Sequence, residues 1–180
     1  IWFTDPPYGI VSDHEGHKAE SELGDCYVFR FDPATGVLRI ASDFVEEPNG
    51  LAFSPDERVL YVSDTSAALR TDGSGHHHIV AFDVVGGKKL ANGRVFINAA
   101  GGSPDGFRVD IDGNLWCGWG MGSDELDGVR VFNPAGAAIG HIRLPERCAN
   151  LCFGGAKRNR LFMAASHSLY ALYVNVQGAP

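Results

Sequence analysis

The stretch Pro48–Asp64, PNGLAFSPDERVLYVSD, decides how the chain folds. It reads as two apolar runs, Asn49-Gly50-Leu51-Ala52-Phe53 and Leu60-Tyr61-Val62-Ser63-Asp64, joined by Ser54-Pro55-Asp56-Glu57. Pro, Asp and Ser are the residues that tight reversals demand, so the stretch predicts an antiparallel hairpin. The pattern returns along the chain. Asp105-Gly106-Phe107-Arg108-Val109 and Leu115-Trp116-Cys117-Gly118-Trp119 flank Asp112-Gly113-Asn114. Ala149-Asn150-Leu151-Cys152-Phe153 and Leu161-Phe162-Met163-Ala164-Ala165 flank Gly154-Gly155-Ala156-Lys157. The opening Ile1-Trp2-Phe3-Thr4-Asp5 matches the second run of each pair.

A third strand is predicted after each second run, at Cys26–Asp32, Ile79–Val84, Gly128–Asn133 and Ser168–Val174. A fourth follows in three units, at Val37–Ser42, Arg94–Asn98 and Ala138–Leu144. Four short antiparallel strands in about 50 residues is the size of a propeller blade. No segment has convincing helical periodicity. The expected fold is all-β: a single partial β-propeller domain over 1–180, with blades approximately at 1–44, 45–98, 99–145 and 146–180. The first unit lacks an innermost strand and the last an outermost one. About three and a half blades leave sheet faces uncovered, and propellers need roughly four to eight. The expectation is therefore the C-terminal part of a larger propeller, with N-terminal blades needed to close the ring. The alternative is a ring closed by two such chains. The start inside an apolar run at Ile1, without an initiator Met, points the same way.

Composition narrows the function. The chain has 23 glycines in 180 residues, which suits a turn-rich fold. Lys+Arg number 15 against 22 Asp+Glu, a net charge of -7. With no basic stripe, a nucleic-acid partner is not expected. No apolar run approaches the ~18–20 residues that a membrane-spanning helix needs, so no membrane partner is expected either. Cys26, Cys117, Cys148 and Cys152 have no CxxC spacing. Cys148 and Cys152 are expected to face one side of a strand, too far apart to bond. Free thiols favour a reducing compartment such as the cytoplasm. A periplasmic or secreted location stays open, because the natural N-terminus is not expected at Ile1.

Innermost strands of a propeller line a central channel, so the starts of those strands converge. The repeat places Asn49, Asp105 and Ala149 at one equivalent position. An amide oxygen and a carboxylate facing one axis make a partial site for a hard cation. Pro48-Asn49-Gly50 and Pro104-Asp105-Gly106 are also ordinary turn sequences, and spacing leaves both readings open. Asp5 and Asp64 end equivalent strands and are expected to cap the following turns. Residues 14–17, His14-Glu15-Gly16-His17, fall in a long connection that could overhang the mouth. Alternation should split His76-His77-His78 between two faces. It should also turn Asn150 away from the axis. Ser166-His167 has no obvious acid partner, and no GxSxG elbow is present. Trp116, Trp119 and Phe107 are expected to pack between blades.

Four motifs occur in order: Trp2-Phe3-Thr4-Asp5-Pro6-Pro7-Tyr8-Gly9, Pro48-Asn49-Gly50-Leu51-Ala52-Phe53-Ser54-Pro55-Asp56, Ser103-Pro104-Asp105-Gly106-Phe107 and Cys152-Phe153-Gly154-Gly155. Together they resemble the gluconolactonase / senescence-marker-protein / luciferin-regenerating-enzyme family over essentially all of the chain. The resemblance implies a six-bladed propeller with one central divalent cation that hydrolyses a small-molecule lactone, typically a sugar lactone. It implies Asn49 and Asp105 as metal ligands, Asp105 also as catalytic base, and Tyr8 beside the substrate. Calcium is the first expectation for the cation, with zinc, magnesium or manganese as alternatives. The family's glutamate ligand, and its substrate-binding asparagine and arginine, have no counterpart in these residues. A non-catalytic binding propeller and a related metal-dependent esterase or phosphotriesterase are the competing readings.

Overall fold

The computed structural model describes residues 1–180 apart from Glu15, Thr71 and Ala100. Its order is β1 (Trp2–Thr4), α1 (Tyr8–Val11), β2 (Val28–Asp32), β3 (Val37–Ser42), β4 (Pro48–Phe53), β5 (Val59–Asp64), β6 (His78–Val85), β7 (Lys89–Asn98), β8 (Ser103–Val109), β9 (Leu115–Gly120), β10 (Gly128–Phe132), β11 (Ala138–Arg143), β12 (Cys148–Gly154), β13 (Arg160–Ala165) and β14 (Leu169–Tyr173). The strands form four antiparallel meanders: β1-β2-β3, β4-β5-β6-β7, β8-β9-β10-β11 and β12-β13-β14. Among the described residues, helix is confined to the single turn α1 and two 3₁₀ turns, Ser66–Ala68 and Asp124–Leu126. None of these is long and apolar enough to cross a membrane.

The hairpins form where the turn residues dictate. Between β4 and β5, the Ser54 hydroxyl donates to Asp56 Oδ1 at 2.7 Å, and Glu57 adopts a left-handed conformation with φ 57°. Gly113 takes the left-handed position between β8 and β9, where a side chain would be strained. Asp110, fully buried, then collects the Asp112 and Asn114 amides and the Trp116 indole N–H.

Each central sheet is apolar on both faces, and the alternation of its strands supplies two interfaces. Leu60 and Val62 of β5, with Val80 and Phe82 of β6, face the first sheet and pack with Val28, Trp2 and Ala41. Their neighbours Tyr61, Ile79 and Ala81 face the third sheet and meet Phe107, Leu115, Cys117 and Trp119. Val129 and Trp116 of the third sheet join Cys148, Leu151, Leu161 and Met163 of the fourth. The core thus lies between successive sheets, as in a propeller. Burying a Leu, Val or Phe at these faces contributes about 1.5–3 kcal/mol each. Trp119 and Phe107 are buried in this packing, and Trp116 stacks edge-on against Phe153 at 5.6 Å.

At the far ends of the inner strands, the last residues clasp two sheets. Ile111 N–H donates to Gln177 O and Ala179 N–H to Val109 O, both at 2.9 Å, while Gly178 N–H donates to Arg158 O.

One regular deviation positions the site. Each complete inner strand bulges near its start. Pro48 pairs with Asp64 and Leu51 with Val62, so Asn49 and Gly50 stand opposite Ser63 alone. Pro104 pairs with Trp119 and Phe107 with Cys117, so Asp105 and Gly106 stand opposite Gly118. In β12, Cys148 pairs with Ala165 and Asn150 with Ala164, leaving Ala149 extra. An inserted residue bends the strand and re-aims its side chains. The bulge corrects the expectation for the cysteines. It reverses the alternation after Ala149, so Cys148 is buried and Cys152 exposed. All four cysteines are unpaired.

Candidate functional site

The bulges of β4 and β8 bring together the two residues singled out by the repeat. Asn49 Nδ2 donates to Asp105 Oδ1 at 3.2 Å, across 56 positions of sequence. Both are partly buried. The approach is close because the second bulge residue is glycine. A Cβ on Gly50 would lie 2.4 Å from the Asp105 carbonyl oxygen. The Ser63 hydroxyl sits in the same seam, accepting the Gly50 N–H at 2.8 Å.

The third bulge differs. Ala149 occupies the position of Asn49 and Asp105, and Asn150 that of the glycines. Simple alternation does not carry through to Asn150, because the bulge falls immediately before it. Its amide lies against β8: a Cβ on Gly106 would fall 2.4 Å from Asn150 Cγ. Its Oδ1 accepts the Leu151 N–H at 2.8 Å.

Tyr8 reaches this end of the molecule from α1. Its hydroxyl meets Thr65 Oγ1 at 2.5 Å and Thr65 O at 3.1 Å. Thr65 follows β5 and stands opposite Glu47, just beyond the bulge. Burial pushes the Tyr8 phenol up to about 12, and the Glu47, Asp105 and Asp64 charges add to this against the Thr65 hydrogen bond. The phenol is therefore protonated at neutral pH. Burial also raises Glu47, against the Cys26 thiol, which donates to it at 3.7 Å, and against Arg70. Asp64 does more than cap one turn. Burial raises its pKa, but His78 and the Ser66 and Glu46 N–H groups outweigh that and hold it at about 2. It thereby anchors the segment entering β4 to the end of β5.

The remaining candidates separate. His76 and His78 stack at 4.7 Å on one side, near Glu46 and Asp64 respectively. They do not gather with His77 around a common point. Ser166-His167 needs a correction: His167 does have an acid partner. Glu146 Oε2 lies 2.9 Å from His167 Nδ1, because the β12–β13 register sets residue 146 opposite 167. The His167 side chain is 88% exposed, so the pair ties a surface turn. Of the segment 14–17, Glu15 lies outside the described residues. His14 takes its N–H to Ser12 Oγ, and His17 N–H donates to Gly9 O. Asp5 donates its N–H to Tyr27 O. A groove of about 500 Å³ lies at the opposite end of β4 and β8, between Leu51–Glu57 and Arg108–Val109.

Among the described residues, no three His, Cys, Asp or Glu side chains are gathered to hold a metal. What the inner strands offer is one carboxylate and one carboxamide, both hard oxygen donors, which suits an oxygen-seeking divalent cation. Calcium takes six to eight oxygens, so two such donors are fewer than a shell of that kind needs.

Meandering antiparallel sheets stacked face to face, with polar side chains converging from neighbouring inner strands, define a β-propeller with an axial polar site. The chain belongs to the SMP-30/Gluconolactonase/LRE-like family, whose model matches residues 1–167. It is 34% identical to a gluconolactonase of Zymomonas mobilis over 177 residues, covering 94% of this chain and 46% of that protein. It is 30% identical to the lactonohydrolase oryH of Aspergillus oryzae over 185 residues, covering 94% of this chain and 38% of that protein. Among solved structures, a gluconolactonase from Xanthomonas campestris superposes with a TM-score of 0.80 at 40% identity, over 96% of this chain and 52% of that one. The chain thus spans about half the length of these relatives, or less.

Proposed function

We propose that this chain forms part of the axial site of a divalent-cation-dependent lactonase acting on a sugar lactone such as gluconolactone. Further blades would complete a six-bladed ring and the ligand shell. The reading is carried by the 3.2 Å contact between Asn49 and Asp105 from two neighbouring bulges. The names of the family's curated members point to the ester bond of a lactone.

Asn49 through its amide oxygen and Asp105 through its carboxylate would hold the cation, with calcium first and zinc, magnesium or manganese as alternatives. When bound, a cation polarises the ester carbonyl and makes water more acidic. Asp105 accepts the proton of the attacking water, since it is the carboxylate carried by the converging bulges. Asn49 fixes the rotamer of Asp105 through the hydrogen bond to Oδ1. Tyr8, kept protonated, closes the substrate side of the mouth and presents its ring to the sugar. The four unpaired thiols favour a reducing compartment.

The test uses the full-length protein and follows gluconolactone hydrolysis by acid release. Chelation should abolish turnover and added Ca²⁺ should restore it. Asp105→Asn keeps the shape and removes the base, and should lower kcat by about 10²-fold or more. Wild-type turnover in this variant, or turnover indifferent to chelator, would sink the assignment.

A further inference from the structure

Thr65 is buried, 5% exposed, and its hydroxyl meets three groups. Tyr8 Oη lies at 2.5 Å, the Glu47 carbonyl oxygen at 3.4 Å and Asn49 Nδ2 at 3.5 Å. A hydroxyl has one proton and two acceptor sites. The Thr65 proton goes to the Glu47 carbonyl, which can only accept, or to the Tyr8 oxygen, since either hydroxyl can donate in that pair; in both cases it is directed away from Asn49. The Asn49 N–H can only donate, and it points at Oγ1. The Tyr8 proton goes to Oγ1 or to the Thr65 carbonyl, 3.1 Å away.

The consequence falls on Asn49. A carboxamide has two N–H groups on one end and an oxygen on the other. Asp105 Oδ1 takes one N–H at 3.2 Å and Thr65 Oγ1 the other. Turning the amide over would set its oxygen against a carboxylate and against a hydroxyl whose proton is committed elsewhere. Leaving buried polar groups so mismatched costs about 1–3 kcal/mol. The oxygen is thereby held away from both neighbours.

We propose that Thr65 is a positioning residue: its hydroxyl fixes which way the Asn49 carboxamide faces, presents Oδ1 to the axial cation, and ties the Tyr8 segment to the same point. The proposal rests on the cation site described above. Nothing in the sequence motifs marks Thr65. It is identified by the bulge, which sets the end of β5 level with Asn49.

The experiment titrates Ca²⁺ calorimetrically into chelator-treated full-length protein without substrate. Thr65→Val preserves shape but cannot accept or donate, and should weaken Ca²⁺ binding about tenfold, the equivalent of ~1.4 kcal/mol. Thr65→Ser restores the hydroxyl and should bind within about twofold of wild type, a difference below ~0.5 kcal/mol. Thr65→Ala is titrated alongside, so that misfolding of one variant leaves the other. In the lactonase assay Tyr8→Phe should raise KM and leave Ca²⁺ affinity near wild type. Unchanged Ca²⁺ affinity in Thr65→Val and Thr65→Ala overturns the role, as does a Thr65→Ser variant as weak as valine. If wild type itself takes up no Ca²⁺, the cation site fails with it, and the two failures are told apart by the wild-type trace.

Discussion

The inner strands β4 and β8 share a backbone irregularity with β12 at the same level of the channel, but they fill it differently. In β4 and β8 the first bulge residue carries an oxygen donor and the second is glycine. In β12 the first is Ala149 and the second is Asn150. The backbone device is therefore structural and recurs in each complete inner strand, whereas the chemistry is written by one side chain per bulge. Glycine in the second place lets adjacent strands touch through their backbones. Where the third strand has Asn150, that amide instead fills the space left by Gly106.

The sharpest way to break this contrast is to delete donors. Asp105→Ala should lower lactone hydrolysis by about 10³-fold and Asn49→Ala by about 10²-fold, whereas Ala149→Ser should stay within about twofold. Steady-state kinetics on the full-length protein decides this, and equal losses at all three bulges would erase the distinction.

Next in size is the glycine contrast. Gly50→Ala drives a methyl group to 2.4 Å from a backbone oxygen, which cannot swing aside. It should destabilise the fold by about 2 kcal/mol or more in urea titrations. Gly106→Ala meets first the side-chain amide of the exposed Asn150, which can shift more readily than backbone, and should cost under about 1 kcal/mol. Adding Asn150→Ala should recover most of that smaller loss. A Gly106→Ala penalty matching that of Gly50→Ala would mean that both seams are equally rigid.

Acid offers a third probe, confined to the second sheet. Asp64 has its folded pKa depressed to about 2, so its contribution is present above the ordinary carboxylate value near 3.8 and is lost as pH falls through about 2. Between pH 5 and pH 2.5 most of that contribution is lost, roughly 1–2 kcal/mol. Asp64→Asn should flatten the stability difference measured between pH 5 and pH 2.5 by that amount. An unaltered pH dependence would remove Asp64 as the anchor of the segment entering β4.

The smallest effect concerns Tyr8. Tyr8→Phe removes one hydrogen bond to Thr65 and should raise the KM for gluconolactone about three- to tenfold, in line with ~0.5–1.5 kcal/mol for such a bond.

Much of this architecture is legible in the sequence. The repeat of hairpin turns gave the meanders, since Ser54–Glu57 and Asp112–Asn114 permit little else than reversal. The equivalence of Asn49 and Asp105 followed from aligning those repeats. What stayed hidden traces to one cause. An inserted residue leaves no reliable mark in a single sequence, and it reverses the inside–outside rule beyond it. That is why simple alternation sets Cys148 and Cys152 on one side, whereas the structure buries the first and exposes the second. Contacts between strand ends were hidden for a related reason. Thr65 against Asn49, and Glu146 against His167, depend on pairing register, which the turns constrain only loosely when a bulge intervenes. The Asn-Gly and Asp-Gly dipeptides were a usable cue, because a glycine beside a polar residue at a strand start fits a close crossing as well as a turn.

Because Gly50 seats against the Asp105 carbonyl with nothing between them, the gap between the two donors is set by main chain meeting main chain. It works as a mechanical stop. Rims, outer strands and connecting segments can be rewritten around such a stop without retuning the spacing at its centre. The distance between the Asn49 and Asp105 side chains is thereby insulated from sequence change at the periphery.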